Sequence, residues 1–189
     1  MTSNEKEKVS LTVVVPTLNR ASLKEAISSC GDLPVEVEKD THRTGAGPTR
    51  NRAVQRVTTP WVAFLDDDDI VDKAFLYHFQ EALEGTPEAD LIIFRMRFPD
   101  GRVLPKVPRV VWGNVGIAMA VKTEIAKKHP FVKGENSFNK NEDFVFAKTI
   151  EENGYKVVFS PRIGYHVKPS KEAQANAIIN RGNEKSTAL

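Results

Sequence analysis

Apolar residues fall into short β-branched runs, each followed by a polar or glycine-bearing segment and then a stretch with helical spacing. The first run, Leu11-Thr12-Val13-Val14-Val15, stops at Pro16 and predicts a buried strand opening into the loop Thr17-Leu18-Asn19-Arg20. Ser22 is placed to cap a helix reaching about Cys30, with Leu23, Ala26 and Ile27 on one face. Val35-Glu36-Val37-Glu38 alternates as a strand, and Asp40-Thr41-His42-Arg43 leaves its end. In the glycine-bearing segment Thr44-Gly45-Ala46-Gly47-Pro48-Thr49, Pro48 suits the first turn of a helix. That helix carries Arg50, Asn51, Arg52 and Arg56 beside an apolar stripe of Ala53, Val54 and Val57. Trp61-Val62-Ala63-Phe64-Leu65 predicts another buried strand, and it ends in four consecutive aspartates, Asp66 to Asp69.

The second half continues the alternation. Asp72 is placed to cap a helix to Leu83, whose Phe75, Leu76, Phe79 and Leu83 face the core, with Gly85 and Pro87 ending it. Leu91-Ile92-Ile93-Phe94 begins a strand, Pro99-Asp100-Gly101 turns it, and Arg102-Val103-Leu104 returns. Residues 106–114 read as a loop, residues 115–121 as a strand, and Thr123 as the cap of a short helix. Residues 131–140 are a polar, glycine-bearing loop that leads into a helix starting at Asn141-Glu142-Asp143-Phe144 and stopping before Gly154. Tyr155-Lys156-Val157-Val158-Phe159 is a strand broken by Pro161, after which Ile163-Gly164-Tyr165-His166-Val167 follows. The expected organisation is one α/β domain over residues 1–169 and a polar tail over 170–189.

Composition narrows this only in part. A chain of 189 residues with 40% hydrophobic content buries one sizeable core. Its 27 basic and 25 acidic residues leave a net charge of +2, which does not by itself announce a nucleic-acid partner. A single cysteine, Cys30, excludes an internal disulfide framework. The charged N-terminus and the lack of any apolar run of membrane-spanning length lead us to expect a soluble, cytoplasmic protein without membrane insertion.

The chemistry concentrates at two places. Four adjacent carboxylates repel one another unless a cation or donor set offsets them, and hard oxygen ligands suit Mg²⁺ or Mn²⁺. They follow a buried strand, at the edge where open α/β sheets gather ligands; a solvated acidic turn is the competing reading. The glycines and arginines around Pro48 suit phosphate at a helix start, or equally a turn and a solvated helix face. They match neither the lysine-containing phosphate loop nor a dinucleotide fingerprint. Trp112 is either a stacking face or a core residue at a strand end.

Four landmarks occur in order over most of the chain: Val13-Val14-Val15-Pro16-Thr17-Leu18-Asn19-Arg20, Gly45-Ala46-Gly47-Pro48-Thr49-Arg50-Asn51, Phe64-Leu65-Asp66-Asp67-Asp68-Asp69, and Glu142-Asp143 with Gly154-Tyr155-Lys156-Val157. Together they resemble family 2-type glycosyltransferases. The resemblance implies a single GT-A-type domain, a Rossmann-like mixed sheet flanked by helices on both sides. It also implies a nucleotide-diphosphate sugar donor, a divalent metal (Mn²⁺ or Mg²⁺) and inversion at the sugar carbon.

By the same resemblance, Pro16, Thr17, Asn19 and Arg20 line the nucleotide pocket, and Arg50 and Asn51 sit near the nucleotide. Asp66 reaches ribose or sugar hydroxyls with Asp67 beside it, and Asp68 holds the metal on the diphosphate; four aspartates in a row leave that register open. Asp143 matches the general base, and His166 a late histidine that serves as a further metal ligand. Trp112, Gly113, Asn114 and Glu142 are the candidates for the acceptor side. Two departures stand out: the region corresponding to the family's Asp-Gly-Ser type segment after the second strand is shortened, leaving Asp40 as the only acidic candidate there, and the chain is short for the family.

The acceptor is unread and could be a nucleic acid, a protein or a small glycan. Arg43, Arg50, Arg52 and Arg56 suggest phosphate grip and hence a modified DNA base, although donor diphosphate and solvent explain them equally. The rival functions are a nucleotidyltransferase on the same fold and a non-catalytic binding module.

Overall fold

The computed structural model describes residues 10–132 and 142–169. Most of the loop expected over 131–140 and the whole tail expected over 170–189 lie outside the described residues. In chain order the elements are β1 (Leu11–Thr17), α1 (Leu23–Ser29), β2 (Val35–Lys39), α2 (Ala46–Val54), β3 (Trp61–Phe64), β4 (Ile70–Val71) and α3 (Phe75–Gly85). They continue with β5 (Leu91–Arg97), β6 (Val103–Leu104), β7 (Met119–Lys122), α4 (Thr123–Lys128), α5 (Glu142–Glu152) and β8 (Val157–His166).

The strands form one mixed sheet in the order β2-β1-β3-β7-β5-β8-β4, with β6 paired to the end of β5. β1 lies between two parallel neighbours, β2 and β3, and every one of its residues is buried. That is why it reads as a continuous β-branched run. β2 is the edge, and there Val35 and Val37 alternate with Glu36 and Glu38. The β1–α1–β2 crossover steps outward and the β2–α2–β3 crossover steps back across β1. Right-handed connections of opposite direction place α1 and α2 on opposite faces.

Three rings fix the end of β3 against α5. Phe131 stacks on Phe146 at 4.0 Å, and Phe64 meets the two rings edge-on at 5.0 and 5.8 Å. Each buried ring contributes roughly 2–3 kcal/mol by the area it removes from water. Phe146 and Asp143 are three residues apart on α5, hence on one face. The aromatic cluster therefore sets Asp143 over the end of β3.

Several boundaries differ from the sequence pattern. Phe131 belongs to the core rather than to a polar loop. α3 begins at Phe75, because Asp72 Oδ1 accepts the N–H of Ala74 at 2.9 Å in a tight turn ahead of the helix. Ile70 and Val71, hidden between charged neighbours, form a short strand on β8. Of residues 115–121 only the end is strand, in β7. Pro161 does not break β8: between Phe159 and Ile163 that strand spends four residues against two of β5, so the proline lies in a bulge where no ladder N–H is needed. Neither Ser22 nor Thr123 caps with its side chain, and Thr123 Oγ1 is buried without a partner. No described helix is long and apolar enough to cross a membrane.

Candidate active site

β1 feeds the chain to one side of the sheet and β3 to the other, so the crevice between their C-terminal ends is the topological switch point. The two ends are stitched by Leu65 N–H on the Val14 carbonyl at 3.0 Å. Asn19 has a left-handed backbone, φ 63°, which asparagine tolerates better than most residues, and its N–H rests on Thr17 Oγ1 at 2.8 Å. That turn sends Arg20 back over the crevice. Its guanidinium donates to Asp67 Oδ1 at 3.0 Å and Asp68 Oδ2 at 2.6 Å, while Thr17 Oγ1 donates to Asp67 Oδ2 at 2.5 Å. The cleft so formed, about 330 Å³, is lined by Pro16, Thr17, Arg20, Asp40, Asp66 and Asp68 among others.

The four aspartates do different things. Asp67 is buried under Thr17 and Arg20, and Asp69 is buried with Oδ1 accepting the N–H of Lys168 at 3.0 Å. Asp66 and Asp68 keep accessible carboxylates. Burial, with the charge of Asp66 next, pushes Asp69 up to about 7 against the Lys168 hydrogen bond. Burial also raises Asp68, Arg20 opposes this, and Asp66 and Asp67 add to the rise. The cluster therefore carries more negative charge than its own arginines offset.

A second carboxylate group, Glu142 and Asp143 of α5, is joined to Asp66 of the cleft by Arg50. The loop before α2 is wound on Asp40, whose Oδ1 accepts Thr44 N–H and Oγ1–H and whose Oδ2 accepts Gly45 N–H, all within 3.0 Å. These bonds hold Asp40 below the usual carboxylate range against its burial. Gly45, at φ 101°, turns the chain into the helix, and Arg50 points inward from the second turn with 2% of its surface exposed. Arg50 donates to Glu142 Oε1 and Asp66 Oδ1, both at 2.5 Å, and reaches Asp143 Oδ1 at 3.4 Å. The Phe131 ring lies 5.3 Å from its guanidinium, and its buried Nε has no partner. Burial lowers the arginine's proton affinity, but Asp66, Asp143 and Glu142 outweigh it and the guanidinium is held charged.

Asp143 keeps about a quarter of its side chain exposed, 26%. Burial raises its carboxyl, Arg50 lowers it, and Asp66 and Glu142 raise it again, to about 7. A partly exposed carboxylate poised near neutrality, one arginine away from Asp66 of the cleft, is suited to taking a proton. Glu142, by contrast, faces inward, with Oε1 on Arg50 and Oε2 accepting Gly47 N–H at 3.0 Å.

Other expected residues lie apart from this group. Asn51 pairs with the backbone of Phe131, donating at 2.8 Å and accepting at 2.9 Å, and so holds the start of the segment leading to α5. Glu142 and Asn114, expected on the acceptor side, are both buried. The Asn114 amide braces its own loop through the backbones of Lys106, Val107 and Arg109. Gly113 takes the left-handed turn of that loop at φ 72°. Trp112 is 65% exposed and meets Phe144 edge-on at 5.7 Å, so it is not a core residue.

His166 pairs with Asp72. Its Nε2 lies 2.7 Å from Asp72 Oδ2, and it lines a cavity of about 1020 Å³ between α1 and the start of α3. Among the described residues no three histidine, cysteine or acidic side chains converge as a metal site. Of the four arginines that suggest a phosphate grip, Arg52 and Arg56 are bound to Glu36 and Glu38 of β2, Arg50 is the buried hub, and Arg43 stands in the loop before α2 with a left-handed backbone, φ 52°. The contacts Thr17–Asp67 and Lys168–Asp69 were missed, because nothing in a local pattern links residues 50 or 99 positions apart.

A mixed sheet flanked by helices, with an acidic crevice at its switch point, is the GT-A architecture. The family profile described as "Glycosyl transferase family 2" matches residues 20–146, more than half of the chain, and the chain belongs to that family. No curated protein sequence matches it. Among solved structures it is similar to residues 1–349 of S. aureus TarS, with TM-score 0.67 and 19% identity over 85% of this chain and 60% of that one. It is also similar to the mannosyltransferase PcManGT of Pyrobaculum calidifontis in complex with GDP-Man and Mn²⁺, at TM-score 0.63 and 16% identity, over 90% of this chain and 60% of that one. A third is glucosyl-3-phosphoglycerate synthase of Mycobacterium tuberculosis with Mn²⁺, UDP and phosphoglyceric acid, at TM-score 0.61 and 16% identity, over 89% and 74%. The chain thus spans 60% of the length of TarS 1–349.

Proposed function

We propose that the protein transfers a sugar from a nucleotide-diphosphate sugar to an acceptor hydroxyl, by one displacement that inverts the anomeric carbon. The observation that carries this reading is Asp143, accessible and poised near neutrality, held by Arg50 to the same crevice as Asp66 and Asp68. Family membership and the UDP and GDP-Man complexes of the similar structures support the donor class.

In this reading the nucleotide lies along the cleft of Pro16, Thr17 and Arg20, and Asp66 takes ribose or sugar hydroxyls. A divalent cation, Mn²⁺ or Mg²⁺, fits the cluster's uncompensated charge and would be held by Asp68. Such ions commonly use one or two carboxylates and complete their shell with substrate phosphates and water. When bound, it neutralises charge on the leaving diphosphate. Asp143 accepts the proton of the acceptor hydroxyl as that oxygen bonds to the sugar carbon and the bond to the diphosphate oxygen breaks, its electron pair leaving with the diphosphate. Arg50 fixes the carboxylate's direction, and Glu142 fixes Arg50.

The test is a panel of UDP- and GDP-sugars with and without Mn²⁺, read by thermal shift, because a ligand of the folded state raises its stability. Turnover is then followed by nucleoside diphosphate release, and the product's anomeric configuration by NMR. No shift with any donor, or retained configuration, overturns the reading.

A further inference from the structure

Residues 95–114 carry five basic side chains and one acidic, in a protein whose net charge is only +2. Arg102 is neutralised by Asp100, but among the described residues Lys106 and Arg109 have no ion pair, and both are exposed. Between and after them stand Val107, Val111 and Trp112, exposed by 47%, 43% and 65%. Three exposed apolar side chains on one short loop, interleaved with unpaired cations, are the composition of an interaction face. The face is also built. Val110 is buried beneath it, and Asn114 holds Lys106, Val107 and Arg109 by four backbone hydrogen bonds of 2.7 to 3.4 Å. A braced loop loses little freedom when it binds.

Its position decides its role. The Trp112 ring meets Phe144 edge-on at 79°, which leaves a broad face of the indole open one residue from Asp143. Asp143 is tied to the acidic crevice through Arg50, which also bonds Asp66, and in the transferase reading the donor fills that crevice. The acceptor then approaches across the loop of residues 105–114.

We propose that this loop binds a single-stranded nucleic acid that bears the acceptor hydroxyl, with a base stacked on Trp112 and backbone phosphates against Lys106 and Arg109. Stacking platforms flanked by cations are how proteins hold unpaired strands, and the charge complementarity fits a polyanion. This rests on the transferase reading for the site's chemistry, but its cations, Lys106 and Arg109, are not the arginines that the sequence pattern suggests. Arg50, Arg52 and Arg56 are occupied by carboxylates, whereas Lys106 and Arg109 are free among the described residues.

Fluorescence anisotropy with a labelled, mixed-sequence single-stranded oligonucleotide tests it on the full chain, with inorganic polyphosphate as the competitor lacking bases. Trp112→Ala is expected to weaken oligonucleotide binding roughly tenfold while leaving polyphosphate binding unchanged. The double variant Lys106→Ala/Arg109→Ala is expected to weaken both and to flatten the salt dependence by about two phosphate contacts. Absence of oligonucleotide binding at low salt overturns the proposal, as does binding indifferent to Trp112, which marks a bare polyanion surface. Nucleotide-sugar thermal shifts on the same samples keep the two readings apart. Donor binding without oligonucleotide binding removes only the acceptor class, whereas oligonucleotide binding without donor binding removes the transferase.

Discussion

The backbone N–H of Gly47 donates to Glu142 Oε2 at 3.0 Å, joining the first turn of α2 to the first residue of α5 across 95 positions of sequence. A Cβ at Gly47 would stand 2.7 Å from that oxygen and 3.0 Å from the Phe131 Cβ. Glycine is required here by close approach and not by a positive φ. The contact explains why Glu142 turns inward while its neighbour Asp143 stays partly exposed.

Gly47→Ala is therefore expected to push Glu142 off Arg50 and to cost about 1–3 kcal/mol of stability, the usual scale of overpacking. Because Asp143 is the next residue, kcat should fall more than donor affinity. Thermal denaturation and steady-state kinetics on the same variant check this; an unchanged melting temperature would mean that α5 yields freely and that Glu142 does not position anything.

Arg50→Lys keeps a positive charge but loses the fork that touches three carboxylates at once. With weaker opposition from the cation, burial and the charges of Asp66 and Glu142 should carry the Asp143 carboxyl above its present value of about 7. The expected readout is a pH–rate profile whose rising limb moves to higher pH, with a lower plateau. A limb that stays in place would assign it to another group.

The parts of this arrangement that were readable in sequence are those set by local repetition. β1 and β3 announce themselves because strands buried on both faces are continuous apolar runs, and the aspartates follow β3 directly. β4 was not readable: two residues between Asp69 and Asp72 carry no period, and only pairing with β8 makes them a strand. Asp143 was legible as a candidate through the Glu-Asp pair. The division of labour between Glu142 and Asp143 was not, since it depends on a glycine and an arginine brought from α2. The arginine series misled because its counter-charges, Glu36 and Glu38, sit on the neighbouring strand and meet Arg52 and Arg56 only in the fold.

Asp68→Ala should abolish the cation-dependent part of donor binding and most turnover, since Asp68 is the proposed ligand of the hard cation. It should also free Arg20, which now bonds both Asp67 and Asp68, so cation-independent nucleotide binding should persist or tighten. Titration of a nucleotide sugar with and without Mn²⁺ separates the two effects. If the variant still gains donor affinity from Mn²⁺, the ligand is Asp66 or Asp69.

Asp143→Asn tests the base and makes a second, opposite prediction about stability. Asparagine is nearly isosteric and cannot accept the proton, so kcat should fall by roughly 10²–10⁴-fold with donor and cation affinity nearly intact. In the wild type, activity should rise as pH passes about 7, where the carboxyl ionises, and the variant should lose that limb. The same displaced ionisation acts on folding. A carboxyl whose folded pKa is raised from about 4 to about 7 holds its proton in the folded chain after the unfolded chain has released it. Its contribution is fully present below about pH 4 and is lost as pH rises through about 7. The difference in melting temperature between variant and wild type should therefore widen in the variant's favour from pH 5 to pH 8, since asparagine avoids the partly buried charge. Loss of activity with gain of stability at pH 8 is the signature of a charge kept for chemistry. A variant that is both less active and less stable at every pH would make Asp143 a structural partner of Arg50 and return the search for the base to the other carboxylates of the crevice.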